Sequence, residues 1–252
     1  MPAARLDTDG SGVVRLTLAR PESGNALDAA IVEDMLDAVA KLGASPPRAL
    51  VLAGDGNGFC GGFDLDGLAS QSDGDLALRF IRIELLLQAI HHFPAPTVAL
   101  AHRFAWGAGA DLFAACRIRV ADPDTRFSFP GARFGIVLGS GRLARCVGGQ
   151  QAFETISAGR PVAAAEALAM GLATHIVPKD RWDSEAIDAL VGPWAGLASE
   201  TMSALLSRLT PDDRAADLAA LASSAARPGL GERIAEYAAA QQSARRKVKD
   251  SR

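Results

Sequence analysis

Two glycine-rich turns hold the residues most suited to chemistry. Cys60-Gly61-Gly62-Phe63-Asp64 and Gly107-Ala108-Gly109-Ala110-Asp111 each follow a short apolar run, and each ends in glycine, one apolar residue, aspartate and leucine. Glycine tolerates the positive φ of tight turns. Such turns can leave backbone N–H groups unpaired and pointing outward, which suits a negative oxygen developing on a carbonyl. The plainer alternative is that the glycines serve only the turns, and spacing along the chain does not show that the two converge. Asp111 could carry a proton; its structural alternative is a cap on the helix after Gly109. Gly56 to Gly61 also matches GxGxxG, but no helix opens directly after it and no acid follows at the spacing a dinucleotide site requires.

The elements that must position these turns follow from periodicity. Val14, Leu16 and Leu18 alternate with Arg15 and Thr17, as in a half-buried strand. Leu27, Ile31, Met35, Val39 and Leu42 recur at helical spacing and stop near Gly43. Ala49 to Ala53 reads as a buried strand leading into the first turn. Asp75 is a candidate N-cap for a helix carrying Leu76, Phe80, Ile83, Leu87 and Ile90, closed by Pro94 and Pro96. Thr97 to Ala101 reads as the strand before the second turn, Gly109 to Cys116 as helix, Ile118 to Ala121 as strand. Pro161 followed by Val162 to Met170 and Gly171 suggests a further helix, and Thr174 to Val177 a last strand. From about Trp182 onward the pattern is helical and alanine-rich, which suits a docking or assembly region. Strands and helices thus alternate, an α/β class.

Composition narrows the function classes. With 252 residues and 49% apolar content the chain can bury a large core. Its first twelve residues lack the apolar stretch of a secretory signal, and no run is long enough to span a bilayer, so a cytoplasmic protein is expected. Cys60, Cys116 and Cys146 are odd in number and lack CxxC spacing; they read as buried free thiols, and the four histidines form no metal-gripping pair. No metal is expected. A formal net charge of −3 argues against a nucleic-acid binder. The only dense basic run, Arg245, Arg246, Lys247 and Lys249, suits a solvated helix end or a contact to a ligand phosphate.

Taken together, Asn25-Ala26-Leu27, Phe59 to Leu65, Gly107 to Leu112, Glu166-Ala167-Leu168 and Gly171-Leu172 resemble the enoyl-CoA hydratase/isomerase (crotonase) family in order and spacing, from about Leu16 to Val177. The resemblance implies a spiral of β-β-α units over residues 1–190 holding an acyl-CoA pocket, and a helical region over 191–252 that builds a homotrimer or hexamer. It implies a coenzyme A thioester as substrate, with no cofactor beyond that coenzyme A. By position, the backbone N–H groups of Phe63 and Ala108 would form an oxyanion hole. Ala26, Cys60, Gly61, Gly62, Asp64 and Gly107 would line the substrate channel. Asp64 itself reads as an N-cap rather than an acid.

Two departures from that pattern bear on the reaction. Hydratases of the family use two glutamates. Here the first aligns with Asp111, about 1.5 Å shorter, where a misplacement of about 1 Å can cost on the order of a hundredfold in rate. The second aligns with Gly131, after Pro130, so no carboxylate stands there. Asp66, Glu84, His91 and Arg133 lie on segments that could edge the pocket, although each is equally readable as surface or supporting structure. The expectation is therefore an isomerase or lyase in which Asp111 alone moves protons, with isomerisation ahead of hydration. The alternative is a non-catalytic acyl-CoA-binding or assembly subunit. In the last helix Tyr237 is followed by Ala238-Ala239-Ala240-Gln241 where relatives carry an acidic and Lys-Arg run, which leaves Arg245 and Arg246 as candidate phosphate contacts. Phe63, where relatives often have alanine, suggests a narrowed acyl entrance.

Overall fold

The computed structural model describes residues 3–194 and 196–250, with side chains described through residue 243. Strands β1 (Ala4–Thr8) and β2 (Val13–Leu18) lead to helix α1 (Ala29–Ala44), then β3 (Ala49–Gly54) and α2 (Asp73–His91). A strand-strand-helix unit follows: β4 (Thr97–Ala101), β5 (Phe104–Trp106) and α3 (Ala108–Ala115). Strands β6 (Ile118–Ala121) and β7 (Arg126–Ser128) precede α4 (Ser140–Val147) and α5 (Gly149–Ala158). Then come β8 (Val162–Ala163), α6 (Ala164–Ala169), β9 (His175–Ile176) and the helices α7 (Ser184–Val191), α8 (Ser199–Leu209), α9 (Arg214–Ala225) and α10 (Leu230–Asp250).

The larger sheet has the order β1-β2-β3-β4-β6-β9, parallel throughout except for the β1–β2 pair. A smaller sheet, β5-β7-β8, lies apart from it. Parallel strands covered on both faces must be apolar on both faces, and β4 is buried along its whole length. Alternate residues separate into two cores, as the two-residue period of a strand requires. Leu50, Leu52, Ala99 and Ala101 face α1, α2 and α3, whereas Val51, Ala53, Val98 and Leu100 pack with Ile187 and Val191 of α7. A third apolar cluster joins Leu76 and Phe80 of α2 to Leu221 and Ala225 of α9 and to Leu230 and Ile234 of α10. This cluster holds the helical tail against the first half of the chain.

The structure departs from the sequence expectations at several boundaries. Helix α2 begins one turn's reach earlier, because Ser72 is the N-cap: its Oγ accepts from the Asp75 amide at 3.2 Å while Asp75 Oδ2 accepts from the Ser72 amide at 2.9 Å. Asp75 is thus the third residue of a capping box rather than the cap. The polar N-terminus includes a strand, β1, exposed along most of its length at the sheet edge. The helix expected from Val162 is split, since Val162 pairs with Phe127 across the small sheet and α6 opens only at Ala164.

Candidate active site

The two glycine turns meet. The amide of Trp106 donates to the Cys60 carbonyl at 2.9 Å, and the Leu27 amide to the Gly62 carbonyl at 2.7 Å, tying both turns to the segment before α1. Gly62 has φ +84°, and a Cβ there would run into the Trp106 carbonyl oxygen and stand 3.2 Å from the Ala108 nitrogen. Only glycine permits that approach. Gly107, with φ +52°, is the N-cap of α3 and supplies no side-chain acceptor. The amides of Ala110 and Asp111 both turn back to the Gly107 carbonyl. Among the described residues neither the Phe63 nor the Ala108 amide donates to a backbone acceptor. The positive end of α3 adds to their attraction for an anion.

Phe63, Ala108, Gly61 and Gly107 line one cavity of about 550 Å³. Its other walls come from the turn at Gly131–Phe134, the segment Ile136 to Leu138, and Ile234, Tyr237, Ala238, Gln241 and Gln242 of α10. Residues 1–190 therefore do not close the pocket alone. The tail is held over it by the Arg233 Nε bond to the Phe134 carbonyl at 3.0 Å and by Asp73, which accepts from the Gly229 and Gly231 amides at 2.8 and 2.9 Å. From the sequence no residue of α10 is expected to line the pocket; the signal that marks the helix there is the i, i+3, i+4, i+7 spacing of Ile234, Tyr237, Ala238 and Gln241. Ser128 and Ser140, which also line the cavity, carry no such signal.

Asp111 is the sole carboxylate among the lining residues. It is 5% exposed, and its Oδ1 is buried without a hydrogen-bond partner. It makes no capping bond to α3, because it sits at the fourth residue of that helix rather than ahead of it. Burial pushes its carboxyl well above the usual carboxylate range, with Arg142 opposing the shift and Glu84 adding to it. Gly131 also lines the cavity, so the wall where relatives would place a second acid is without charge. Cys60 is fully buried and its thiol is pushed up to about 12 by desolvation, which removes it as a nucleophile near neutral pH.

The remaining expected residues build the wall rather than line it. Ala26 is buried behind Gly61, and Cys60 Sγ points to the Asn25 carbonyl at 3.2 Å. Gly62 is spent on the close approach to Trp106. Asp64 does not cap a helix: its Oδ2 takes the Arg20 guanidinium at 2.9 Å and its Oδ1 the Asp66 amide at 3.0 Å, so it locks the turn to the loop before α1. Glu84 is buried in an ion network, Asp66 is exposed, and His91 Nδ1 lies 3.2 Å from the Ala115 carbonyl with the ring pushed down to about 4 by burial. Arg133 reaches the Ala158 carbonyl at 2.6 Å. None of the four lines the cavity. Phe63 does, with its ring stacked on Phe80 at 4.2 Å and covered by the Arg79 guanidinium at 4.1 Å. The side chains of Arg245 and Arg246 lie outside the described residues. No group of three or more metal-ligating side chains assembles among those described, and no helix there is long and apolar enough to cross a membrane.

Comparison with known proteins identifies the family. The enoyl-CoA hydratase/isomerase family model matches residues 8–225. A Bordetella parapertussis crystal structure assigned to the enoyl-CoA hydratase/isomerase type superposes with a TM-score of 0.92 at 40% identity, covering 95% of this chain and 99% of that one. The Mycobacterium bovis protein named probable enoyl-CoA hydratase echA6 is 35% identical over 172 residues, 67% of this chain and 69% of that protein. A Bacillus subtilis protein named probable enoyl-CoA hydratase is 33% identical over 202 residues, 78% of each. The strand-strand-helix architecture is thus the crotonase-like fold, and the chain belongs to the enoyl-CoA hydratase/isomerase family.

Proposed function

We propose that the protein is an enzyme that moves a proton along a coenzyme A thioester, with double-bond isomerisation ahead of hydration. The observation that carries this reading is a single carboxylate, Asp111, among the described residues of a cavity also lined by Phe63 and Ala108, whose amides donate to no backbone acceptor there. The thioester carbonyl oxygen would accept from both amides, so that charge developing on it is met by fixed dipoles. Ionised Asp111 would take a proton from the α-carbon of a 3-enoyl thioester, leaving an enolate. It would then return that proton to the γ-carbon, giving the 2-enoyl isomer and restoring the carboxylate. A carboxyl whose affinity for protons is raised is the stronger base when ionised, which favours this use. Hydration needs a second group to activate water, and Gly131 supplies none. The coenzyme enters as part of the substrate, and no other cofactor has a role in this sequence.

Turnover of a panel of 2-enoyl-, 3-enoyl- and saturated acyl-CoA thioesters tests the assignment. Interconversion of 3- and 2-enoyl forms, lost by about 10²- to 10⁴-fold in Asp111→Asn, is the expected result. Unchanged turnover in Asp111→Asn would remove Asp111 from the mechanism. Thioester binding without turnover of any substrate would favour a binding or assembly subunit.

A further inference from the structure

Behind Asp111 the interior holds a buried ion triad that the proposed reaction does not use. Arg142 of α4 is 1% exposed. One guanidinium nitrogen pairs with Glu84 of α2, itself 1% exposed, and another with Asp217 of α9 at 2.8 Å. Gln88 Nε2 donates to Glu84 at 2.8 Å and fixes it further. The Nε of Arg142, like Oδ1 of Asp111, is buried without a partner. Holding four ionisable groups so close together, three of them buried, is costly unless the charges balance, which makes their arrangement informative.

The first turn of α4 brings the groups together. A Cβ on Gly139 would overlap the Asp111 carboxyl, and one on Gly141 would stand 2.7 Å from Asp217 Oδ1. This turn is stripped of side chains on both sides, so that one carboxyl packs against it from the cavity and the other from the helical tail. Helix α3 packs against α2, α4, β4 and β5. From α2 the group whose charge reaches Asp111 is Glu84, and from α4 it is Arg142; the two strands bring no charged side chain. The other ionisable groups of α2 and α4 are engaged elsewhere. Arg79 covers Phe63, Arg82 pairs with Glu33, Asp73 and Asp75 bind backbone amides, His91 lies against the Ala115 carbonyl, and Arg145 pairs with Asp213.

With Glu84 and Asp217 ionised the triad holds two negative charges against one positive, and ionising Asp111 adds a third negative charge to the same interior. We propose that Arg142 is a positioning residue that sets how readily Asp111 takes up and gives back its proton, with Glu84 and Asp217 fixing how much of its positive charge reaches the cavity. The tail helix α9 thereby takes part in tuning the site through Asp217. The inference extends the reading of Asp111 as the reacting group, but the state of its carboxyl can be measured without substrate.

The test is infrared titration of the protein, with the Asp111 carboxyl band identified by its absence in Asp111→Asn. The wild type is expected to show an Asp111 midpoint above the usual carboxylate range. Glu84→Gln and Asp217→Asn each remove a negative charge and free part of the guanidinium's field, so the midpoint is expected to fall, by on the order of one pH unit for Glu84→Gln and less for Asp217→Asn. Asp217 is partly exposed, so its variant keeps the test open if Glu84→Gln fails to fold. An unmoved midpoint in a folded variant, or a wild-type midpoint inside the usual carboxylate range, overturns the proposal. If the midpoint moves and the pH profile of turnover moves with it, both readings gain. A moved midpoint with an unmoved profile supports the triad's role and counts against Asp111 as the reacting group.

Discussion

The cavity has two walls built on different principles. The wall from Cys60 to Asp64 and Gly107 to Asp111 brings its main chain to the cavity at the glycines, together with the Asp111 carboxyl and the Phe63 ring. Opposite it, the described lining residues of the Gly131–Phe134 turn and α10 carry no charge. Short of proline, a substitution cannot remove a main-chain donor but can displace it by adding atoms where glycine left space. An apolar wall is the reverse: each side chain can be trimmed, with the cost appearing in packing and in the shape of the site. The first wall should therefore govern the chemical step and the second should govern fit and stability. Phe63 joins the two principles, since its amide donates to no backbone acceptor among the described residues while its ring is part of an aromatic stack with Phe80.

The sharpest way to break this division is Gly62→Val, which forces atoms against the Trp106 carbonyl and displaces the Phe63 and Ala108 amides. Loss of one oxyanion donor costs about 10²- to 10³-fold in kcat, and at least that is expected here, read from steady-state kinetics alongside the melting temperature. On the other wall, Ile234→Ala removes a side chain that is 1% exposed. Denaturant titration should show a loss of about 2–5 kcal/mol, with a raised KM and little change in kcat. An equal collapse of kcat in the folded variant would show that the walls are not separable.

A smaller effect comes from pH. Asp111 is held above its unfolded affinity for protons, so between the two midpoints the folded state binds a proton that the unfolded state has released. Its contribution to stability is therefore fully present below the unfolded midpoint and is lost as pH rises towards the folded one, by up to about 1.4 kcal/mol per pH unit. Asp111→Asn should abolish that slope, and the difference between variant and wild type should grow as pH rises from the unfolded midpoint towards the folded one. Parallel stability curves would contradict the assignment. Smallest of all, Phe63→Leu removes the stacking on Phe80 and the Arg79 contact, worth about 1–2 kcal/mol together, while leaving the amide in place. A changed acyl chain-length preference with kcat preserved is the expected profile.

How much of this was legible in the sequence depends on the range of the contacts. Strands β4 and β6 and the body of α1 stand out because burial imposes a local pattern, a short apolar run in the strands and a helical period in α1. Strand β1 does not, because an exposed edge strand needs no apolar face, and β5, β7 and β8 have three residues or fewer. The turns were visible as motifs, but their meeting depends on the bridges Cys60 to Ala105 and Leu27 to Phe63, which spacing along the chain does not encode. Asp111 was legible by position; its surroundings were not. Arg142 meets Glu84 across 58 residues and Asp217 across 75, and nothing local in those three segments marks the partnership.

The claim on which the rest depends is that the Phe63 and Ala108 amides hold the thioester carbonyl. A crystal structure with a non-reactive acyl-CoA analogue tests it most directly. The account predicts the carbonyl oxygen about 2.7–3.1 Å from both amide nitrogens, with the carbon to be deprotonated beside Asp111. A carbonyl oxygen bound elsewhere in the cavity, out of reach of either amide, would contradict it.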